Sequence, residues 1–526
     1  MSGHTLTTRP LPHAARIGLV TAFAAALLAW LVGHTDILFA DGLRYIEQAR
    51  RLDRGDWLEG AIQAVDHPLY PLAVAVAHRA LPTAEGPVGW QFAAQAASAI
   101  AGVLLVVPLY LVARELFGGS SAWLACLLVY LVPVPSRVMA DALSEGTFLL
   151  FWTWGLWAAL NYLRAGSVVW LAPALLGGGL AYLARPEGLL LPAALVATLG
   201  LIPLIPPARL PARLWWSAVL TLGVGAACVV GPFVAVKGGI GTKPAVARLL
   251  GLAPPSKPDA VERERPLDPS LSTPALYGQA VRAAGGSIGR AVTFPLLPFA
   301  GLGLIAAVMR RGRAGARGWV FLGVVVVGSV MALIRLYATG GYCTPRHALI
   351  VALPLLAASA SGLRVVAAGL VRLTRGPSRL AGAVPVAAAL VLTLPGLPDL
   401  LAPVNASVGG YRDAGNWLAG HVGPGDRVAD VTGWSLFYGS RPGYVFANLH
   451  EAAGDRSLRW VVAREAHLRG PWGYCARLRN LVAGARTVAR FPAERQPGQS
   501  QVTIYERSPP RPVETATPGE SPMLRR

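Results

Sequence analysis

The strongest constraint on this chain is a succession of apolar runs, each about 20 residues long and separated by short charged interruptions. A run of that length crosses a bilayer as a helix, because a helix satisfies all its own backbone polar groups in hydrocarbon. Candidate runs begin near Ile17, Trp90, Trp123, Leu143, Val168, Gly188, Trp215, Ala291, Trp319, Ala348 and Leu380, roughly eleven in all. The first lacks a clear small-residue cleavage site and is followed by many others, so it is read as an anchor and not a signal peptide. Composition agrees: 54% of the 526 residues are hydrophobic and 14% charged, against about 25% charged in soluble domains. The 59 glycines and 43 prolines sit among Leu/Ala/Val runs and not in polar tracts. A soluble enzyme, a fibrous protein and a disordered chain are excluded, and a polytopic membrane protein remains.

The net charge of +20 is not a nucleic-acid footprint, since no solvated basic face with aromatic or groove-reading elements accompanies it. Of the 47 basic residues only Lys237, Lys243 and Lys257 are lysine, a bias that fits genome composition. Arginines collect on cytoplasmic loops. An inside N-terminus (Arg9, Arg16) then puts Arg114, Arg164, Arg209, Arg213, Arg310, Arg311, Arg313, Arg317, Arg364, Arg372, Arg375 and Arg379 inside as well. The opposite side receives Asp41, Glu47, Asp53, Asp56, Glu59, Asp66, Asp141, Glu145 and Glu187, with two long segments near 237–290 and 403–526. Cys126, Cys228, Cys343 and Cys475 lie in separate segments without metal-ligand spacing and imply no disulfide framework.

After residue 402 the composition changes. A helix over Tyr411–His421 and short strands over Arg427–Val431, Trp460–Ala463, Thr487–Phe491 and Gln501–Tyr505 predict a small α/β domain over 403–507. The Pro/Ser/Thr/Glu-rich tail 508–526 is expected to be disordered.

The chemistry-bearing residues gather on the acidic side. In the first outer loop, 37–67, Leu43, Ile46, Ala49 and Leu52 form a stripe opposite the charges, which predicts a helix lying in the interface. Asp41 opens it, as an N-cap or as a catalytic acid. Asp66 and His67 precede Pro68-Leu69-Tyr70-Pro71 at the start of a short apolar helix, and form either a helix cap or part of a polar pocket. Arg137 leads to Asp141 and Glu145, whose spacing of four predicts two carboxylates on one helix face that need a cation, a metal or a raised pKa. Arg185-Pro-Glu187 and Tyr342-Cys-Thr-Pro-Arg346-His347 add guanidinium groups on the side where the positive-inside rule disfavours them. Such a combination can hold a phosphate against carboxylates.

These pieces, together with Tyr45 and Ser144, resemble the GT-C class of integral membrane glycosyltransferases, specifically bacterial relatives of protein O-mannosyltransferases and of lipid A aminoarabinose transferases. The resemblance covers about the first 400 residues. It implies a transmembrane catalytic domain over 1–402 and a site at the outer face of a bacterial plasma membrane. Asp41 is implied as general base or as ligand of a divalent metal near the acceptor, and Asp66, Asp141 and Glu145 as catalytic acids. Tyr45, His67, Tyr70, Arg137, Arg185, Glu187, Tyr342, Arg346 and His347 are implied as substrate-binding, with Arg346 on the donor phosphate. The family's acid-basic-Pro-Pro-Leu motif has one proline here, and Gly42 stands where a second acid is common. The implied reaction moves a hexosyl or pentosyl group from a polyprenyl-phosphate donor to a lipid, glycan or protein acceptor, with inversion. A transporter, or a polysaccharide polymerase or ligase of similar topology, is the alternative; a scaffold working through its C-terminal domain is a third reading. Gly177-Gly-Gly179 is either an unwound helix or a close crossing, and Asn405-Ala-Ser407 matches a glycosylation acceptor.

Overall fold

The computed structural model describes residues 12–58, 60, 64–205, 211–239, 244–252, 272–310, 315–375, 380–494 and 498–507. The tail 508–526, residues 253–271 of the large loop, and Arg9, Glu59, Arg209, Arg311, Arg313 and Arg379 lie outside them. The chain forms two compact units, Met1–Gly409 and Gly410–Arg526.

The first unit is helical. It begins with α1 (His13–Gly33), α2 (Ala40–Asp53), α3 (Leu69–Ala80), α4 (Pro87–Leu104), α5 (Val106–Phe117), α6 (Gly119–Leu131), α7 (Pro133–Ala140) and α8 (Glu145–Ala165). It continues with α9 (Leu171–Ala184), α10 (Leu190–Leu201), α11 (Ala212–Val229), α12 (Gly231–Lys237), α13 (Pro244–Leu249), α14 (Thr273–Val292) and α15 (Leu297–Arg310). α16 (Ala316–Gly340), α17 (Leu349–Leu373), α18 (Leu380–Thr393) and α19 (Leu397–Leu401) complete it.

Among the described residues seven helices are long and apolar enough to cross a membrane, and up to nine if each of two bent pairs is one span. The sequence scan expects about eleven. Two of its runs fall outside this set: the shorter apolar helix Val168–Ala184 and α8, whose three tryptophans, one tyrosine and two end charges dilute its aliphatic content. The bends have a local cause. α6 and α7 meet at 68° where Val132 adopts an extended conformation before Pro133, as the ring of a following proline requires. α14 and α15 meet at 86° around Phe294-Pro295.

Helix crossings in this unit depend on missing side chains. A Cβ at Gly303 of α15 would lie 1.9 Å from the carbonyl oxygen of Ala358 in α17, and one at Gly362 would lie 1.9 Å from that of Phe299. α9 runs unbroken through Gly177-Gly-Gly179, and a Cβ at Gly177 would sit 2.6 Å from the amide nitrogen of Gly155 in α8. Close packing of small residues, and not unwinding, is therefore the use of this glycine run.

The second unit contains α20 (Gly410–His421), β1 (Arg427–Asp430), α21 (Trp434–Gly439), β2 (Gly443–Tyr444), β3 (Leu458–Arg464), α22 (Glu465–Arg469), α23 (Gly473–Val482), β4 (Arg486–Phe491) and β5 (Val502–Glu506). The sheet order is β2-β1-β3-β5-β4, parallel among the first three strands and antiparallel at β5. Leu458 and Val461 of β3 bury against Leu478 and Leu481 of α23, so the strand is near-continuously apolar as expected of a covered parallel strand. The small α/β domain expected from the sequence is present, with the two-residue β2 as an addition.

Gly362→Val forces α15 and α17 apart. It should destabilise the membrane unit by about 1–3 kcal/mol, seen as a lowered melting temperature in detergent, whereas Gly369→Val, at a position with open space around it, should melt as wild type.

Candidate functional site

α2 starts after Phe39, whose extended backbone ends the link from α1. Asp41 lies in the first turn but makes no capping bond, so the N-cap reading is corrected: its carboxylate is drawn to arginines instead. Tyr45, Ile46, Gln48, Ala49 and Leu52 are buried, and α2 packs on α3 and α4. The predicted apolar stripe thus faces protein and leaves Arg44 and Asp41 beside the polar cluster.

A continuous series of ion pairs crosses the fold there. Asp66 accepts from Arg44 at 2.9 Å, and Arg44 lies 3.1 Å from Asp41. Asp41 accepts from Arg346 at 2.7 Å, and Arg346 lies 3.7 Å from Glu145. Glu145 lies 2.6 Å from Arg185, which donates to Glu187 at 2.7 Å. Three guanidinium groups therefore alternate with four carboxylates drawn from the first loop, the start of α8, the turn after α9 and the turn before α17. Glu145 is nearly fully buried, with a side chain 3% exposed, while Asp41 (21%) and Arg44 (41%) face the open side. Arg44 carries the link between the two loop acids, and the sequence reading passed over it although its i, i+3 relation to Asp41 was visible.

Local geometry fixes the arginines. Arg346 lies over the Phe39 ring with its guanidinium carbon 4.5 Å from the centroid, and Pro345 starts the helical turn while Thr344 and His347 cap it reciprocally, with the Thr344 hydroxyl 3.0 Å from His347 Nδ1. His347 is thus committed to the turn, and Tyr342, 38% exposed, lies against its ring with centroids 5.8 Å apart. Tyr45 and Ser144 hydroxyls are 3.1 Å apart, next to Arg185, which donates to Ser144 at 3.4 Å. Tyr70 is buried against Tyr45 and donates to the Ala94 carbonyl at 2.8 Å, a structural use. His67 is buried edge-on to Tyr182 at 4.9 Å.

The paired-carboxylate expectation for Asp141 and Glu145 is corrected. α7 ends at Ala140, Asp141 is extended, and α8 begins at Glu145, so the two acids share no helix face. Asp141 instead accepts from the Phe39 amide at 3.0 Å, the Ala142 amide at 2.7 Å and the Asn405 side chain at 2.8 Å. Asn405 also donates to the Ile37 carbonyl at 2.9 Å, so it ties the end of the membrane unit to the start of α2 and its side chain is engaged in this contact, which argues against the acceptor reading of the tripeptide. Arg137 is also apart from the cluster: it donates to the carbonyls of Asp399, Ala402 and Pro403, capping the end of α19.

Burial alone would raise the Asp41 carboxyl, but Arg346 and Arg44 outweigh it and hold it well below the usual carboxylate range. Asp141 goes the other way: burial pushes it up to about 6, against the pull of the amides and Asn405. A divalent metal does not fit the donor set. Among the described residues no group of three or more His, Cys, Asp or Glu could hold one, and both oxygens of Asp41 already face guanidinium groups.

A family model for dolichyl-phosphate-mannose-protein mannosyltransferases matches residues 88–232, which include Asp141, Glu145, Arg185 and Glu187. The oligosaccharyltransferase of Archaeoglobus fulgidus in its apo form aligns over 86% of this chain and 70% of its own, at 14% identity and a TM-score of 0.58. This chain has the GT-C fold. The same archaeal enzyme, AglB, in complex with an inhibitory peptide and a dolichol-phosphate aligns over 86% of this chain and 69% of its own, at 12% identity and TM-score 0.58. Its complex with Zn and sulfate covers 89% and 72%, at 13% identity and TM-score 0.58. Among curated proteins none matches the sequence. With its long apolar helices, the GT-C chain is an integral membrane protein.

The raised Asp141 carboxyl has a consequence for stability. Its folded state holds a proton more tightly than the unfolded chain, so stability is gained as pH falls through about 6 and the gain is complete near the ordinary value of 3.8. Asp41, shifted downward, does not titrate in that window. Between pH 7 and 5 the wild type should gain stability relative to Asp141→Asn, by at most about 1.4 kcal/mol per pH unit; parallel melting-temperature profiles of the two would contradict this.

Proposed function

We propose that this protein is an inverting glycosyltransferase that moves a sugar from a polyprenyl-phosphate donor to a lipid, glycan or protein acceptor at the outer face of a bacterial plasma membrane. The observation that carries this reading is the 2.7 Å pair between Arg346 and Asp41, residues 305 positions apart, with Glu145 and Arg185 alongside. The fold shared with a protein whose complex holds dolichol-phosphate supports a lipid-phosphate donor. The positive-inside distribution of arginines supports the outer location.

The chemistry follows from the charges. The donor's leaving group is an ionised lipid phosphate, so it needs cationic stabilisation more than a general acid. Arg346, with its planar fork, suits a phosphate. Asp41 is a weak base while two guanidinium groups face it. A donor phosphate that takes over Arg346 removes one of them and restores basicity to Asp41 in the complex that needs it. The acceptor hydroxyl then attacks the anomeric carbon as its proton passes to Asp41, the C–O bond to phosphate breaks, and the single displacement inverts the centre. Arg185, held by Glu187, pairs with Glu145, and Asp66 holds Arg44. The charged residues lie at helix ends and α9 is continuous, which favours this reading over a transporter with a midplane site.

Asp41→Asn should lower sugar transfer by about 10²–10⁴-fold with expression intact. Arg346→Lys should raise KM for the lipid-phosphate donor more than for the acceptor. Full activity of Asp41→Asn in reconstituted membranes would remove Asp41 from the reaction, and loss or gain of specific glycolipids or glycoproteins in cells lacking the protein identifies the acceptor.

A further inference from the structure

A second charged feature lies at the far end of the helices that build the site. A cavity of about 680 Å³ is lined by Arg16, Val20 and Phe23 of α1, Ser120 and Trp123 of α6, and Arg364 of α17. Both guanidinium groups line the same cavity. Among the described residues neither has an ion pair or a side-chain hydrogen bond to a carboxylate. Unpaired cations in an apolar recess between spans are costly and mark a place for a counter-ion.

Two helices place the recess independently. Arg16 lies 17 residues before the end of α1, and Arg364 lies 15 residues after the start of α17. At 1.5 Å per residue both are about 25 Å from the helix ends beside the carboxylate cluster, close to the thickness of a hydrocarbon core. The recess therefore sits at the opposite leaflet, out of reach of the reacting sugar. Its walls, Val20, Phe23 and Leu127, suit acyl chains, Trp123 suits an interfacial headgroup zone, and two arginines match one phosphate.

We propose that Arg16 and Arg364 bind the phosphate of an anionic glycerophospholipid in the leaflet opposite the carboxylate cluster, with its acyl chains in the α1–α6–α17 recess. The site is separate from the proposed transfer reaction, and its occupant is a structural or regulatory lipid and not the sugar donor.

The test uses the full chain in phosphatidylcholine nanodiscs titrated with phosphatidylglycerol, with retained lipid measured by native mass spectrometry after detergent exchange. Wild type should retain phosphatidylglycerol, and Arg16→Gln with Arg364→Gln should weaken retention at least tenfold. Arg16→Lys with Arg364→Lys keeps the charge and should keep most of the retention, which separates lost binding from misfolding; Arg372→Gln, at the same helix end, should bind as wild type. Equal retention by the glutamine pair, an equal loss in Arg372→Gln, equal retention of phosphatidylcholine, or preferential retention of a polyprenyl phosphate added in competition with phosphatidylglycerol would each overturn the proposal.

Discussion

The structure depends on one buried exchange of charge, Arg346 lying between Asp41 and Glu145. Charges taken out of water are affordable only when paired, and the pairs here join segments that are far apart in sequence. The first loop, the turn after α9, the start of α8 and the turn before α17 all have to arrive at one place for the carboxylates to be neutralised. The helix packing, with glycines at the α8–α9 and α15–α17 crossings, is what allows that arrival.

The same pairing bears on the proposed chemistry. Three arginines and four carboxylates are nearly balanced, and in the proposed reaction a phosphate competes with the carboxylates for the guanidinium groups. In the proposed reaction that competition raises the basicity of the carboxylate it frees, which would couple donor binding to activation of the acceptor.

How much was legible in the sequence differs from part to part. The apolar helices and the small C-terminal α/β unit followed from composition and period. Most of the acids and arginines that gather at the site were also visible, because exposed charges at span ends are rare in an apolar chain. The partners were not. Asp141 and Glu145 looked like one carboxylate pair from their spacing of four, but a break between α7 and α8 sends them to separate networks. Arg137 looked like a site arginine and instead caps the end of α19. Arg44 was a missed neighbour of Asp41, although i, i+3 spacing on a helix was enough to suggest it.

By itself the sequence determined that the chain is a membrane protein, because hydrophobicity is a property of residue types and needs no partner. Which charge meets which was decided only by the tertiary structure. Guanidinium and carboxylate groups more than three hundred residues apart meet only when packed helices bring their ends together, and no local period in the sequence records that distance.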